Sequence, residues 1–154
     1  MLAATACFSL RPPQLASEMR DREIPDFEPV LAAFCSGYQL YGREWVHRFA
    51  DAHRLSVVEL LNARSFTGAE SFMPGEMPYD DADGIVNTIY AVMVEDAVAF
   101  GDGSELPEPA FAIYEAFDAG EWDRGDGLNP VEHYTKPALR RILNESSGDV
   151  VARG

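Results

Sequence analysis

Carboxylate side chains are the groups in this chain best suited to chemistry, and most of them lie in one segment. Between Ser65 and Leu128 there are fifteen Asp and Glu residues against a single base, Arg124. The flanking residues are nearly neutral, so this segment accounts for the formal net charge of −14 at pH 7. Clustered carboxylates can act as general acids and bases, bind cations, or attract a basic macromolecule.

The run Asp80-Asp81-Ala82-Asp83-Gly84 is the part of the sequence most similar to a calcium-binding loop, which places acids two positions apart before a glycine. With Gly84 at the glycine position, Tyr79 occupies the first ligand position and Tyr90 the position of the bidentate glutamate. Neither tyrosine is suited to bind calcium there, and the histidines and cysteines lack the paired spacing of zinc sites. We therefore expect neither a metal ion nor a cofactor.

The common catalytic motifs are missing from the sequence. There is no GxSxG elbow, no GxxxxGK[ST] loop and no GxGxxG fingerprint. Glu95 with Asp96, or Glu115 with Asp118, could perform acid–base chemistry together with His133, but a solvated helix face shows the same spacings. An enzyme is therefore the least favoured interpretation, and we predict no catalytic residue.

Residues 105–126 combine acids with aromatic residues, which favours protein recognition. Tyr and Trp provide buried anchors in interfaces, and a charged rim steers an oppositely charged partner. The negative charge repels nucleic acids and anionic membranes, so the predicted partner is a basic protein. Reversal of Glu121, Asp123 and Asp126 to Lys is expected to slow association and leave the fold intact. The predicted partner-binding residues are Glu105, Glu108, Tyr114, Glu115, Asp118, Glu121, Trp122, Asp123 and Asp126.

Hydrophobic periodicity predicts a single all-α domain of five to six helices over residues 26–144, preceded by an arm over residues 1–25 and followed by a flexible tail over residues 145–154. Asp26 is the predicted cap of the first helix, which ends near Gly37, and a second helix runs from Gly42 to about residue 53. Ser56 and Glu59 have the spacing of a capping box, which predicts the start of a third, short helix.

The second half of the chain begins with a predicted loop. Residues 65–80 combine Gly and Pro with large apolar side chains, so we expect this loop to pack against the core. Residues 85–100 form the longest apolar stretch; its length favours a buried helix, whereas its β-branched residues also permit a strand. Further helices are predicted from Pro107 to Gly120 and from Asn129 onward, with Pro137 as a candidate break.

The distribution of apolar residues and the number of cysteines indicate in which cellular compartment the protein is located. No apolar run is long enough to span a bilayer, and no base precedes the apolar residues 1–10, as it would in a signal peptide. Cys7 and Cys35 alone do not make a disulfide framework, and the apolar surroundings of Cys35 favour a buried free thiol. We therefore expect a cytoplasmic protein, of open oligomeric state.

Two stretches near the C-terminus resemble a known class of proteins. Ala116-Phe117-Asp118-Ala119-Gly120-Glu121-Trp122 and Asn129-Pro130-Val131-Glu132-His133-Tyr134-Thr135-Lys136-Pro137 are similar to C-terminal stretches of uncharacterised immunity proteins of bacterial polymorphic-toxin systems. The resemblance implies a small cytoplasmic inhibitor that occludes the basic cleft of a toxin or nuclease. It assigns no residue roles, so the binding residues above come from charge and aromatic placement alone.

A scaffold or adaptor subunit, or a homo-oligomer, is the alternative interpretation. In this case the aromatic loop 66–79 would dock into an obligate partner or into a second copy of the chain. Exposed Phe72, Met73 and Met77 would form a contiguous apolar patch, and such patches mark interfaces.

Overall fold

The computed structural model describes residues 27–100 and 105–148, which form five α-helices and one π-helical turn. The helices are α1 (Phe27–Ala52), α2 (Val57–Phe72), α3 (Tyr79–Phe100), α4 (Ala110–Glu121) and α5 (Lys136–Gly148), and the π-helical turn (Val131–Thr135) directly precedes α5. These two described ranges contain no strand, so the all-α prediction is confirmed and residues 85–100 are helical. Asp26 and the predicted arm over residues 1–25 lie outside the described residues.

The two helices predicted between residues 26 and 53 form one helical run with a sharp break. The break is at Gly42, whose φ of 68° and ψ of −161° lie outside the helical region and in a range that favours glycine. Gly37 does not end a helix, so that prediction was wrong. A Cβ atom on Gly37 would overlap the ring of Trp45, and the glycine instead allows Trp45 to pack against the preceding part of α1.

The predicted capping box at the start of α2 is confirmed. Ser56 Oγ accepts a hydrogen bond from the Glu59 N–H at 3.1 Å, and Glu59 Oε2 accepts one from the Ser56 N–H at 2.7 Å. The helix then extends to Phe72, so the prediction of a loop from residue 65 was wrong over residues 65–72. Ser65 and Gly68 are buried there, because these small residues let α2 lie close to the neighbouring helices.

The core consists of two clusters, and α2, α3 and α4 contribute to both. One cluster joins α2, α3, α4 and α5 and includes Phe66, Phe72, Val86, Ile113, Phe117 and Leu139. The other joins α1 to the start of α2, the second half of α3 and the start of α4, and includes Phe34, Val46, Leu60, Leu61, Ile89 and Met93. The three shared helices therefore form the centre of the domain.

The apolar segment 66–79 packs into the first of these clusters, as predicted. Phe72 is 5% exposed, and its ring centroid lies 5.9 Å from that of Tyr79 and 5.2 Å from that of Phe117. Met73 and Met77 are partly buried against the same cluster. These side chains therefore do not form the exposed patch on which the scaffold or oligomer interpretation depends.

The helix α4 begins at Ala110, three residues later than the predicted start at Pro107. A cis peptide bond joins Glu108 to Pro109 just before it. The Ala110 N–H donates a buried hydrogen bond of 3.1 Å to Asn62 Oδ1, which fixes the start of α4 on α2.

The predicted start at Asn129 is confirmed, because Asn129 Oδ1 accepts a hydrogen bond from the Glu132 N–H at 3.1 Å. Pro137 does not divide the helix that follows. It has no N–H, and just before it the Lys136 N–H bonds to the Val131 carbonyl five residues back, which creates the π-helical turn. The helix α5 continues to Gly148, so residues 145–148 of the predicted tail are helical, and residues 149–154 lie outside the described part.

Within the described ranges, no helix has both the length and the hydropathy required to cross a bilayer.

Candidate functional site

The predicted partner-binding residues fall into two groups, at opposite ends of α4. Glu105 and Glu108 are exposed and precede the helix, whose twelve residues separate them from its C-terminal end by about 18 Å. The other group lies toward the C-terminal end of α4 and in residues 121–128, which we call the acidic loop. It consists of Tyr114, Glu115, Asp118, Glu121, Trp122, Asp123 and Asp126, of which Tyr114 and Asp118 are partly buried and the others exposed.

Tyr114 belongs to a stack of aromatic rings between α3 and α4. Its ring centroid lies 3.9 Å from that of Tyr90, with the planes at 4°, and Phe111 lies 6.2 Å from both. Burial raises the pKa of the Tyr114 hydroxyl, and the negative charge of Asp118 raises it further. Tyr90 was not among the predicted residues, because no signal in the sequence indicates that α3 and α4 are antiparallel neighbours.

Asp83 is a second group that sequence reasoning missed at this site. It lies on α3, and its carboxyl group is within hydrogen-bonding distance of that of Glu121 at the end of α4. The acidic run 80–84 lies in the first turns of the same helix. The contact between Asp83 and Glu121 places this run beside the acidic loop. The packing of two helices therefore extends the negative surface beyond the predicted residues.

Arg124, the one base between Ser65 and Leu128, is exposed, and its guanidinium group contacts neighbouring parts of the protein. Its Nη1 donates hydrogen bonds to the carbonyl oxygens of Ala119 at 2.9 Å and Trp122 at 3.3 Å. Its guanidinium carbon also lies 3.8 Å from the centroid of the Tyr134 ring. A cation at the C-terminal end of a helix is favourable because the last carbonyl groups carry partial negative charge. Arg124 therefore stabilises the end of α4.

Asp123 and Asp126 fold the acidic loop with their own carboxylates. Asp123 Oδ1 accepts a hydrogen bond from the Gly125 N–H at 2.8 Å, and Asp126 Oδ1 accepts one from the Leu128 N–H at 3.0 Å. Asp126 Oδ2 also accepts the Tyr134 hydroxyl at 2.8 Å. The Leu128 N–H and then this hydroxyl lower the pKa of Asp126.

These contacts change the expectation for charge reversal. A lysine at position 123 or 126 cannot accept the backbone hydrogen bonds that shape the loop. The expectation that reversal of Asp123 and Asp126 leaves this part of the fold intact therefore needs correction. Asparagine keeps an acceptor oxygen and removes only the charge, so it is the better substitution for a test of the electrostatic role.

Large apolar side chains are exposed among these acids. Trp122 is 64% exposed and Leu128 is 43% exposed. Tryptophan at the centre of an interface commonly carries a large share of the binding free energy. The acidic loop therefore combines the two features predicted for a recognition surface, which are negative charge and an aromatic anchor.

A separate cavity of about 390 Å³ lies near the start of α2. Its apolar walls include Val57, Leu61 and Met93, and at its rim His47 Nε2 is 3.1 Å from Asp96 Oδ1. The predicted residue Glu105 also lines this cavity, which places it apart from the acidic loop. The start of α2 provides hydrogen-bond donors to the cavity, and the carboxylates of Asp96 and Glu105 provide acceptors. The lining therefore does not select one class of ligand.

Glu95 and Asp96, one of the two carboxylate pairs considered for acid–base chemistry, have other partners. Asp96 pairs with His47 and lies 3.5 Å from Arg43 Nη1, whereas Glu95 Oε1 accepts the Tyr38 hydroxyl at 2.9 Å. In the part of the chain that the structure describes, no group of three or more His, Cys, Asp or Glu side chains is arranged to hold a metal ion.

Comparisons with protein-family models, with curated proteins and with solved structures found no match to this chain.

Proposed function

We propose that this chain is a non-catalytic inhibitor of the immunity-protein type, which uses the acidic loop and the adjoining end of α4 to occlude a basic cleft on a toxin or nuclease. The observation that carries the proposal is the orientation of charge in the loop. Arg124 is exposed, but its guanidinium group is bound to carbonyl groups of the protein, and the exposed carboxylates of Glu115, Glu121 and Asp123 outnumber it.

The geometry of the acidic loop supports rapid and specific association. Side chains of Asp123, Arg124 and Asp126 hold the loop in one conformation by hydrogen bonds. Binding then costs less conformational entropy than it would for a flexible acidic segment. Exposed negative charge of this density also raises the association rate with a positively charged partner, and salt screens the effect.

Trp122 supports a protein as the partner. A side chain that is 64% exposed next to several carboxylates can enter a pocket whose rim is basic. The partner expected from this surface is therefore a protein with an apolar pocket surrounded by Lys and Arg.

The first experiment is an affinity capture at low salt from cells of the source organism, with three baits. One bait is the native chain. The second carries Glu115→Gln, Asp123→Asn and Asp126→Asn, which remove three negative charges and keep one acceptor oxygen in each side chain. The third is a matched control with Asp51→Asn, Glu76→Gln and Glu145→Gln, three exposed acids outside the surface.

The proposal predicts that the native and control baits retain the same basic protein at a ratio near one to one, and that the second bait loses it. Expression of the captured protein alone should arrest bacterial growth, and co-expression of the native chain should restore it. Equal retention by all three baits would remove the acidic loop as the binding surface. A captured partner without toxicity would refute the immunity role.

A further inference from the structure

Two carboxyl groups face each other where α3 meets the end of α4. Asp83 and Glu121 lie within hydrogen-bonding distance of one another. Asp83 Oδ2 accepts a hydrogen bond from Asn87 Nδ2 at 2.9 Å, whereas Asp83 Oδ1 is buried and receives no hydrogen bond from the described residues. One of the two oxygens of Asp83 is therefore removed from water without a donor.

The surroundings of this pair contain further acids. On α3 the nearby titratable groups are Tyr79 and Asp80, and on α4 they are Tyr114 and Asp118. The helix α2 presents the apolar Phe72 to this end of α3, and the π-helical turn presents Thr135.

Two bases of adjoining segments are engaged elsewhere. Arg124 is bound to the carbonyl groups at the end of α4. Lys136 Nζ is 2.5 Å from Glu132 Oε1. Neither base is therefore free to neutralise Asp83 and Glu121.

Ionised carboxylates are hydrogen-bond acceptors only, so two of them cannot bond to each other. Like charges at such a separation also favour protonation of one member of the pair. A single proton removes the repulsion and makes one carboxyl group a hydrogen-bond donor to the other. We infer that Asp83 and Glu121 share one proton, and that this proton joins α3 to the base of the acidic loop and is released as the pH rises.

The electrostatics of Asp83 agree with this geometry. Burial, then the adjacent Glu121 carboxylate and then Asp80 together raise the pKa of Asp83 to about 6, whereas the Asn87 amide opposes the shift. The pair therefore holds its proton at mildly acidic pH and loses it near pH 6. Above that pH the two charges repel one another at the junction of α4 and the acidic loop.

The direct test is a ¹³C NMR titration of the side-chain carboxyl carbons in the free protein, which needs no partner and is therefore independent of the proposed function. Native Asp83 should titrate with a midpoint near 6, coupled to Glu121. The variant Glu121→Gln should move the midpoint of Asp83 toward its ordinary value near 3.8. The control Asp118→Asn, which removes a nearby acid outside the pair, should leave most of the shift in place.

Two results would overturn the inference. One is a native Asp83 midpoint near 4, and the other is an unchanged Asp83 midpoint in the Glu121→Gln variant. If Glu121→Gln does not fold, the midpoint of Asp83 in the native chain still decides, because a value near 4 refutes the shared proton. Any variant that folds therefore either supports or refutes the shared proton.

Discussion

Arg124 packs its guanidinium group against the ring of Tyr134, with its Cζ 3.8 Å from the ring centroid, and this contact joins the acidic loop to the π-helical turn. The same ring carries the hydroxyl that donates to Asp126 Oδ2 at 2.8 Å. Tyr134 therefore contacts both a base and an acid of the loop, and this residue outside the loop adds to the hydrogen bonds within it.

Replacement of Arg124 by Ala should loosen the acidic loop. The variant loses the hydrogen bonds to the Ala119 and Trp122 carbonyls and the contact with Tyr134, so amide hydrogen exchange of residues 121–128 should become faster. The control is Arg48→Ala, which removes an exposed ion pair with Glu44 on α1 and should leave exchange in the loop unchanged. Equal exchange rates in the loop for native protein and Arg124→Ala would contradict this account.

Replacement of Gly120 by Ala should destabilise the protein by about 1 to 3 kcal/mol, the usual penalty for overpacking. A Cβ atom at this position would overlap Thr135 Oγ1 and lie 2.8 Å from the Tyr79 hydroxyl oxygen. That hydroxyl donates a 2.6 Å hydrogen bond to the Phe117 carbonyl, so its displacement would also disturb α4. Urea unfolding monitored by circular dichroism measures the change.

Gly84 is the matched control for Gly120, because both glycines lie in helices. Gly84 is exposed, and a Cβ atom there meets no other atom within 4 Å. Gly84→Ala should therefore stabilise the protein by roughly 0.5 to 1 kcal/mol through the higher helix propensity of alanine. A loss of stability in both variants would mean that helical glycines are needed here for a reason other than close packing.

These glycines illustrate how far the sequence could predict the fold. The predicted helix end at Gly37 is wrong, because this glycine accommodates Trp45, whereas the predicted end at Gly120 is right to within one residue although Gly120 also lies against Thr135 and Tyr79. A glycine that ends a helix and a glycine that permits close approach have the same sequence context, and only the tertiary neighbour distinguishes them. In contrast, the capping box of Ser56 and Glu59 is entirely local, and its prediction was confirmed.

The candidate site shows the same division between local and long-range information. The acids and Trp122 of the loop were predictable because they are close in sequence. The contact of Arg124 with Tyr134 and the pairing of Asp83 with Glu121 were not, because each depends on how distant segments pack. The segment 65–72 was misassigned for a related reason, since Gly68 is typical of a loop until α3 is placed against it.

Replacement of Trp122 by Ala should weaken partner binding by about 2 kcal/mol or more, which corresponds to roughly 30-fold in affinity, if this side chain is the anchor of the interface. Stability should change little, because the side chain is 64% exposed. Tyr41→Ala provides the control, since Tyr41 is 68% exposed on α1, away from the acidic loop. Isothermal calorimetry with the captured partner distinguishes them, and equal affinities would show that Trp122 lies outside the interface.

Stability should depend on pH through Asp83. Because the pKa of Asp83 in the folded protein is raised to about 6 from 3.8, the folded state binds its proton more tightly than the unfolded state does. The free energy of unfolding should therefore decrease as the pH rises from about 4 to about 6 and then stay at the lower value, apart from other titrating groups. Urea unfolding at several pH values should show a smaller decrease for Asp83→Asn than for the native chain.

Partner binding should release the proton shared by Asp83 and Glu121 if a basic side chain of the partner approaches Glu121. That positive charge would favour the fully ionised pair, so binding would release the proton, and affinity would increase with pH by up to about tenfold per pH unit below the midpoint. Calorimetry near pH 6 in buffers of different ionisation enthalpy counts the protons released. Asp83→Asn should reduce the number of protons released. Glu115→Gln, which removes an exposed acid from α4, the helix of Glu121, should leave that number unchanged. A proton count that is the same in native protein and Asp83→Asn would place the bases of the partner away from Glu121, although the shared proton in the free chain would still stand.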